Sequence, residues 1–327
     1  MGGSNITGYL MAPRHLKSRA PRIHIPILAL LASWCLAQGD AFGAPLAQPG
    51  PRETQELVEG RACYTYGDNE TIIQARRAAT SLAQEQAVRS HRVFVQSATK
   101  VKNFQLEEDV VQTASAGLLE NIRIDKEEKR SQEVCITISA VMSPTSMEEM
   151  IRQRVNAKEI SQAAVSVIPQ APSSKSRVWT NKTDGHYVEG DRVLIYIQSD
   201  RDAYLRLDYF QADGTVVHMV PNQFRGQGFV KAGQVYTFGD EESPEQFTVQ
   251  GPFGAETIKA IFSSRPFDTD MSDESVTSDS RQYLAALSGS RGLKVGGTSH
   301  SISLYTVSKT VEDYSKERKV NVSNPTR

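Results

Sequence analysis

The chain has 327 residues and a net charge of −1, from 37 Lys plus Arg against 38 Asp plus Glu, so no overall positive field draws it to a polyanion and nucleic acid is set aside as a partner. A hydrophobic fraction of 39% is too high for a wholly disordered chain, and the length predicts two modest domains with connecting segments.

Residues 1–44 read as an export signal. Arg14, His15, Lys17, Arg19 and Arg22 precede an apolar run over 25–37, and the small residues Ala41, Gly43 and Ala44 follow. The run is shorter than the roughly 20 apolar residues of a spanning helix, so cleavage after Gly43 or Ala44 is expected, with translation starting at Met1 or Met11. Cys35 lies between Trp34 and Leu36 and lacks the small preceding residue of a lipid-accepting cysteine. The expected location is the periplasm or cell envelope. Cys63 and Cys135 then sit in an oxidising compartment, in strand-like runs at 61–66 and 133–138. Two states are open: a bridge between neighbouring strands, closing a long loop and contributing about 4 kcal/mol, or two buried thiols.

A Pro/Gly-rich lead at 45–55 precedes an α+β domain over 56–162. A strand is predicted at 57–66, then a turn at Gly67–Asp68. Asp68 is the expected N-cap of a helix that places Ile72, Ala75, Ala79, Leu82, Ala83 and Ala87 on one side. Strands are predicted at 93–101, 118–124 and 134–141, with the charged residues 126–130 as a hairpin tip. Ser143-Pro144-Thr145 opens a second helix over 146–160. A linker is placed at 163–176, rich in Pro and Ser toward its end.

The region 177–309 alternates in short runs at 192–198, 204–210, 216–220, 235–238, 246–249, 257–263 and 301–307, separated by turn residues such as Asp213-Gly214 and Ala232-Gly233. This spacing predicts an all-β sandwich. An acidic loop at 268–279 and a disordered, charged tail at 310–327 fall outside it.

Gly60-Arg-Ala-Cys63, Asp68-Asn-Glu70, Ala75-Arg76, Ala78-Ala79, Val95-x-Ser97 and Ser115-Ala-Gly117 resemble the N-terminal domain of flagellar assembly protein T and related small outer-membrane lipoproteins, over about residues 56–143. That resemblance implies a long helix on a sheet and a candidate outer-membrane association, although the lipid anchor is unmatched. Tyr187-Val-Glu-Gly190-Asp191, Asp202-Ala-Tyr204, Val220-Pro221-Asn222, Gly251-Pro252-x-Gly254 and Ser264-Arg-Pro266 resemble a bacterial domain-of-unknown-function family of envelope proteins, also appended to kinase and caspase-like chains. This second resemblance implies a recognition module without enzymatic activity.

Catalytic and metal motifs are incomplete. Ser97-x-x-Lys100 has the spacing of penicillin-interacting serine enzymes but lies in a run read as extended, which would point the two side chains to opposite faces. Gly297-x-Ser299-x-Ser301 lacks the closing glycine of a nucleophile elbow. His91, His186, His218 and His300 are scattered singly, and the segment 268–279 has Asp273 where a calcium loop needs glycine. No cofactor or metal is therefore expected. Pro221, Asn222, Phe224, Pro252 and Phe253, in turn-rich segments, are the candidate partner-binding residues, with the alternative that the two phenylalanines plug the sandwich ends. The reading is a non-enzymatic adaptor for a flagellar or secretion-type envelope assembly. Its alternatives are a regulator of a peptidoglycan synthase, a calcium-dependent adhesion module and a serine hydrolase.

Overall fold

The computed structural model describes residues 54–101, 104–168, 174–222, 226, 228–243, 246–267, 277–289 and 298–322, so the expected export signal at 1–44 lies outside the described residues. The first region is α+β, as the pattern predicts. Its elements are β1 (Glu56–Thr65), α1 (Ile72–Ser90), α2 (Arg92–Ser97), α3 (Phe104–Gly117), β2 (Glu120–Arg130), β3 (Glu133–Met142) and α4 (Pro144–Ser166). β1 and β2 pair antiparallel on either side of β3. Alternate residues of β3, Val134, Ile136, Ile138 and Ala140, pack with the Ala75, Ala79, Ala83 and Ala87 stripe of α1. Gly60 allows this close fit, because a Cβ there would lie 1.9 Å from the Ala83 carbonyl oxygen.

Four local expectations change. The N-cap of α1 is Thr71, three residues beyond Asp68: Thr71 Oγ1 accepts from Gln74 N at 3.3 Å and Gln74 Oε1 accepts from Thr71 N at 2.7 Å, a reciprocal pair that Asp68 cannot form. The run 93–101 is not a strand. Within α2 the buried residues are the neighbours Val93 and Phe94 while Val95 is 58% exposed, a helical burial pattern that the alternation of valines hides, and α3 follows it unanticipated. Residues 126–130 continue β2, with the tip at Ser131 and Gln132; their charges are solvated because β2 is an edge strand exposed along most of its length. Finally, α4 begins as predicted, with Ser143 Oγ accepting from Ser146 N at 3.1 Å, but runs past 160 into the expected linker.

That extension joins the two regions. Met147 and Ile151 of α4 belong to the first core, whereas Ile160 and Ala164 pack with Phe210, Val216, Tyr283 and Leu284 of the second. The second region is mainly β: β4 (Arg177–Thr180), β5 (His186–Val188), β6 (Arg192–Val193), β7 (Ile195–Gln198), β8 (Ala203–Phe210), β9 (Thr215–Val220), β10 (Gly228–Val230), β11 (Val235–Phe238), β12 (Phe247–Thr248), β13 (Ala255–Ser263), β14 (Thr277–Asp279), α5 (Ser280–Gly289), β15 (Thr298–Val307) and α6 (Lys309–Val322). A seven-stranded sheet runs β14-β9-β8-β13-β15-β5 with β10 also on β8; β11-β7-β4 form a second sheet and β12-β6 a short third. Ile195, Ile197 and Phe238 of the small sheet meet Leu205, Leu207, Ile258 and Phe262 of the large one in a shared core. The opposite face of the large sheet lies under α4 and α5, so this region is not all β.

The expected disordered tail contains α6. Its apolar content is low, as the sequence pattern indicates, but tertiary contacts compensate. Val311 and Ser315 are buried, Tyr314 donates to Ser81 O at 3.0 Å, and Arg318 meets Glu85 at 3.0 Å and also Glu108, tying α6 to α1 and α3. Burial raises the Glu85 carboxyl, with Arg318 opposing.

Candidate functional site

Where α3 and α4 lie over the outward face of β15, they leave a cleft of about 850 Å³. Its floor carries Ser303, Leu304, Tyr305 and Ala255, its walls Leu106, Asp109, Arg154, Lys158, Gln162 and Val165, and the Asp184–Gly185 turn closes one end. Glycine is required at 185, where φ is +66 and a Cβ would lie 2.8 Å from the Ser303 carbonyl oxygen. Several ionic groups at the cleft are engaged within the protein. Asp109 accepts from the Tyr305 hydroxyl and lies 3.6 Å from Arg154 Nε, and Arg154 also donates to the Phe253 carbonyl. Glu108 pairs with Arg89 at 2.9 Å and with Arg318. Lys158 has no hydrogen-bond or ion-pair partner among the described residues, and Asp184 uses one oxygen to accept from His186 N at 3.0 Å.

α4 is fixed over the sheet from its C-terminal end. The fully buried Lys259 donates to Ile168 O at 3.1 Å and Val165 O at 3.4 Å, placing a cation where the helix carbonyls converge. Burial pulls its ammonium down to about 8, against the attraction of Asp208.

A second constellation escapes sequence reading because its members come from β8, β9, β14 and α5. Asp208 Oδ1 accepts from His218 Nδ1 at 2.8 Å, His218 Nε2 then accepts from Ser278 Oγ at 2.7 Å, and the Tyr283 hydroxyl donates to Asp208 Oδ2 at 2.7 Å. The order is that of an activated serine. The environment is that of a packing network: His218 is buried edge-on to Tyr283 at 4.7 Å, and Ser278 borders neither the cleft nor three smaller cavities in the second region. The network ties α5 and β14 to the sheet.

Of the five candidate partner-binding residues, Pro221, Asn222, Pro252 and Phe253 are among the described residues. Pro221 is buried, Asn222 Nδ2 donates to His218 O at 2.8 Å and Met219 O at 3.1 Å, and Phe253 packs against the sandwich core. Pro252 is exposed, and Phe224 lies outside the described residues. Cys63 and Cys135 are directly opposed in the β1–β3 register and form a disulfide, S–S 2.00 Å. Glu133 lies beside them, but both sulfurs are committed to each other, so no thiolate is present for a cation.

The remaining motifs find ordinary roles. Ser97 closes α2 and Lys100 N donates to its carbonyl at 2.8 Å, so the pair sits one turn apart and not on an extended run, yet Lys100 is exposed and away from the cavities. Ser299, His300 and Ser301 lie within β15, without the turn an elbow needs. His91 faces Glu56 at 3.4 Å and His186 faces Glu312 at 3.0 Å. Of the acidic loop, residues 268–276 lie outside the described residues, and Asp279 Oδ1 accepts from Gln282 N at 2.9 Å at the start of α5.

Residues 186–266, from β5 to just beyond β13, match the model of a domain of unknown function (DUF4384). No family model matches residues 56–143, so the likeness to the flagellar protein's domain expected there finds no support in the comparison. No curated protein and no solved structure compared with the chain matches it.

Proposed function

We propose that this chain is a non-enzymatic accessory protein of the bacterial cell envelope that binds a component of a flagellar or secretion-type assembly through the cleft between α3, α4 and β15. The observation that carries the reading is the cleft itself: at about 850 Å³ it falls in the size range of ligand sites, and it combines apolar wall residues, Leu106 and Val165, with polar groups the fold leaves free. Export is supported by the disulfide, which suggests an oxidising, extracytoplasmic location, and by the signal-like residues 1–44. No helix among the described residues is long and apolar enough to cross a membrane. The flagellar or secretion setting rests on the resemblance of residues 56–143.

The test is in-cell crosslinking of the full, signal-bearing chain with a C-terminal tag, followed by quantitative purification. Gln162→Trp, on the exposed side of α4 at the cleft, fills the site without touching either core. One envelope protein recovered with the natural chain and lost with Gln162→Trp is the expected result. Recovery of no specific envelope protein from exported material overturns the proposal.

A further inference from the structure

The sheets of the second region do not close on each other everywhere. Against β8 and β9 the facing layer is the short sheet β12-β6, two residues to a strand, and a cavity of about 300 Å³ is left between it and the large sheet. The cavity lies on the face of the large sheet turned away from α4, separate from the cleft, and all its lining residues fall within 186–266. Its lining divides by exposure. Val193, Ile195, Met219, Val249 and Ile258 are apolar and buried, whereas Gln246, Thr248 and Gln250 are polar and exposed. Tyr209, Val217 and Phe247 pack against the sandwich core yet are only half-buried, which marks where the cavity reaches solvent. No lining residue carries a formal charge, and the Tyr209 hydroxyl is committed to Glu256, so Tyr209 offers the cavity its ring. The carboxamides of Gln211, Gln246 and Gln250 have no hydrogen-bond partner among the described residues.

An ion drawn among the five buried side chains would lose its hydration and meet no counterion, so the lining selects against charge. A carboxamide both donates and accepts, which suits a neutral hydroxyl, carbonyl or amide at the mouth. At roughly 30 Å³ per water the volume equals about ten waters, the space of a molecule with about ten to fifteen non-hydrogen atoms. We propose that this domain binds an uncharged small amphiphile of that size, its ring or acyl body held between the sheets and its polar group met by the glutamines. This site is independent of the partner bound at α4, and both can be occupied together.

The experiment is isothermal titration of the exported, disulfide-bonded protein with 1-naphthol and with 1-naphthalenesulfonate, which share a ring system and differ in charge. The neutral probe is expected to saturate one site with a Kd on the order of 0.1 mM, the scale for a fragment of this size, and the sulfonate to bind about tenfold more weakly or not at all. Val217→Trp directs an indole into the cavity while β9 keeps its backbone pairing with β8 and β14, and should abolish naphthol binding with the thermal midpoint retained. Gln162→Trp, which fills the cleft at α4 and does not border this cavity, should bind naphthol as the natural chain does. A second readout needs no variant that must fill the core: in methyl-labelled methionine spectra the Met219 methyl, assigned with Met219→Leu, should shift with naphthol and stay in place with the sulfonate. Absence of saturable naphthol binding, equal affinity for the two probes, or a Met219 methyl that does not respond overturns the inference. Binding retained by a folded Val217→Trp, or lost with Gln162→Trp, places the probe elsewhere and overturns it as well.

Discussion

Glu256 sets a pH dependence that can be worked from the structure. It is 3% exposed in β13, its Oε1 accepts from Ala212 N at 3.3 Å, and its Oε2 accepts from the Tyr209 hydroxyl. Burial pushes its carboxyl up to about 7 from 4.5, with the Tyr209 and Ala212 hydrogen bonds opposing. A carboxyl raised on folding binds its proton more tightly in the folded state. Its contribution is therefore fully present below about pH 4.5 and is lost as the pH rises through about 7, a change on the order of 3 kcal/mol. Glu256→Gln mimics the protonated side chain, keeping one acceptor and gaining a donor that does not titrate. Urea unfolding of both proteins between about pH 4.5 and 8 should show the natural chain losing about 3 kcal/mol relative to the variant across that window. Taking the difference cancels the titrations the two proteins share, including the buried His91 and His300. Parallel stability curves for the two proteins would refute the buried-carboxyl argument.

Three further outcomes test the packing. Cys63→Ser with Cys135→Ser should lower stability by about 4 kcal/mol, because the bridge spans a sequence separation of 72, and an equal midpoint with and without reductant in the natural protein would contradict this. Gly60→Ala should destabilise by about 3 kcal/mol in urea unfolding, since its methyl group meets the Ala83 carbonyl on a helix that cannot yield locally. Arg318→Ala leaves Glu85 buried without its cation and should cost about 2 kcal/mol, with the amides of α6 exchanging hydrogen faster than those of α1; unchanged α6 protection would show that Val311 and Tyr314 suffice to hold it.

Features that depend on neighbours along the chain are legible in the amino-acid sequence. The alanine stripe of α1, the Ser143-Pro144 start of α4, the alternation along β3 and the turn-separated strands of the second region are periodicities of two or 3.6 residues, and each can be read locally. Pairing of Cys63 with Cys135 is open in the sequence and closed by register, because antiparallel β1 and β3 place the two residues opposite each other. Tertiary structure settles the places where distant segments supply the energy or build the site. The segment 93–97 alternates like a strand and folds as a helix because Val93 and Phe94 share one core. The charged α6 finds its partners on α1 and α3, more than 200 residues earlier in the chain. The cleft is assembled from residues as far apart as Asp109 and Tyr305, and the freedom of Lys158 and Asp184 is defined only once the other charges around them have found their counterions. A local pattern reports which face of an element is buried; it carries no record of what that face meets, and in this chain that meeting builds the proposed recognition site.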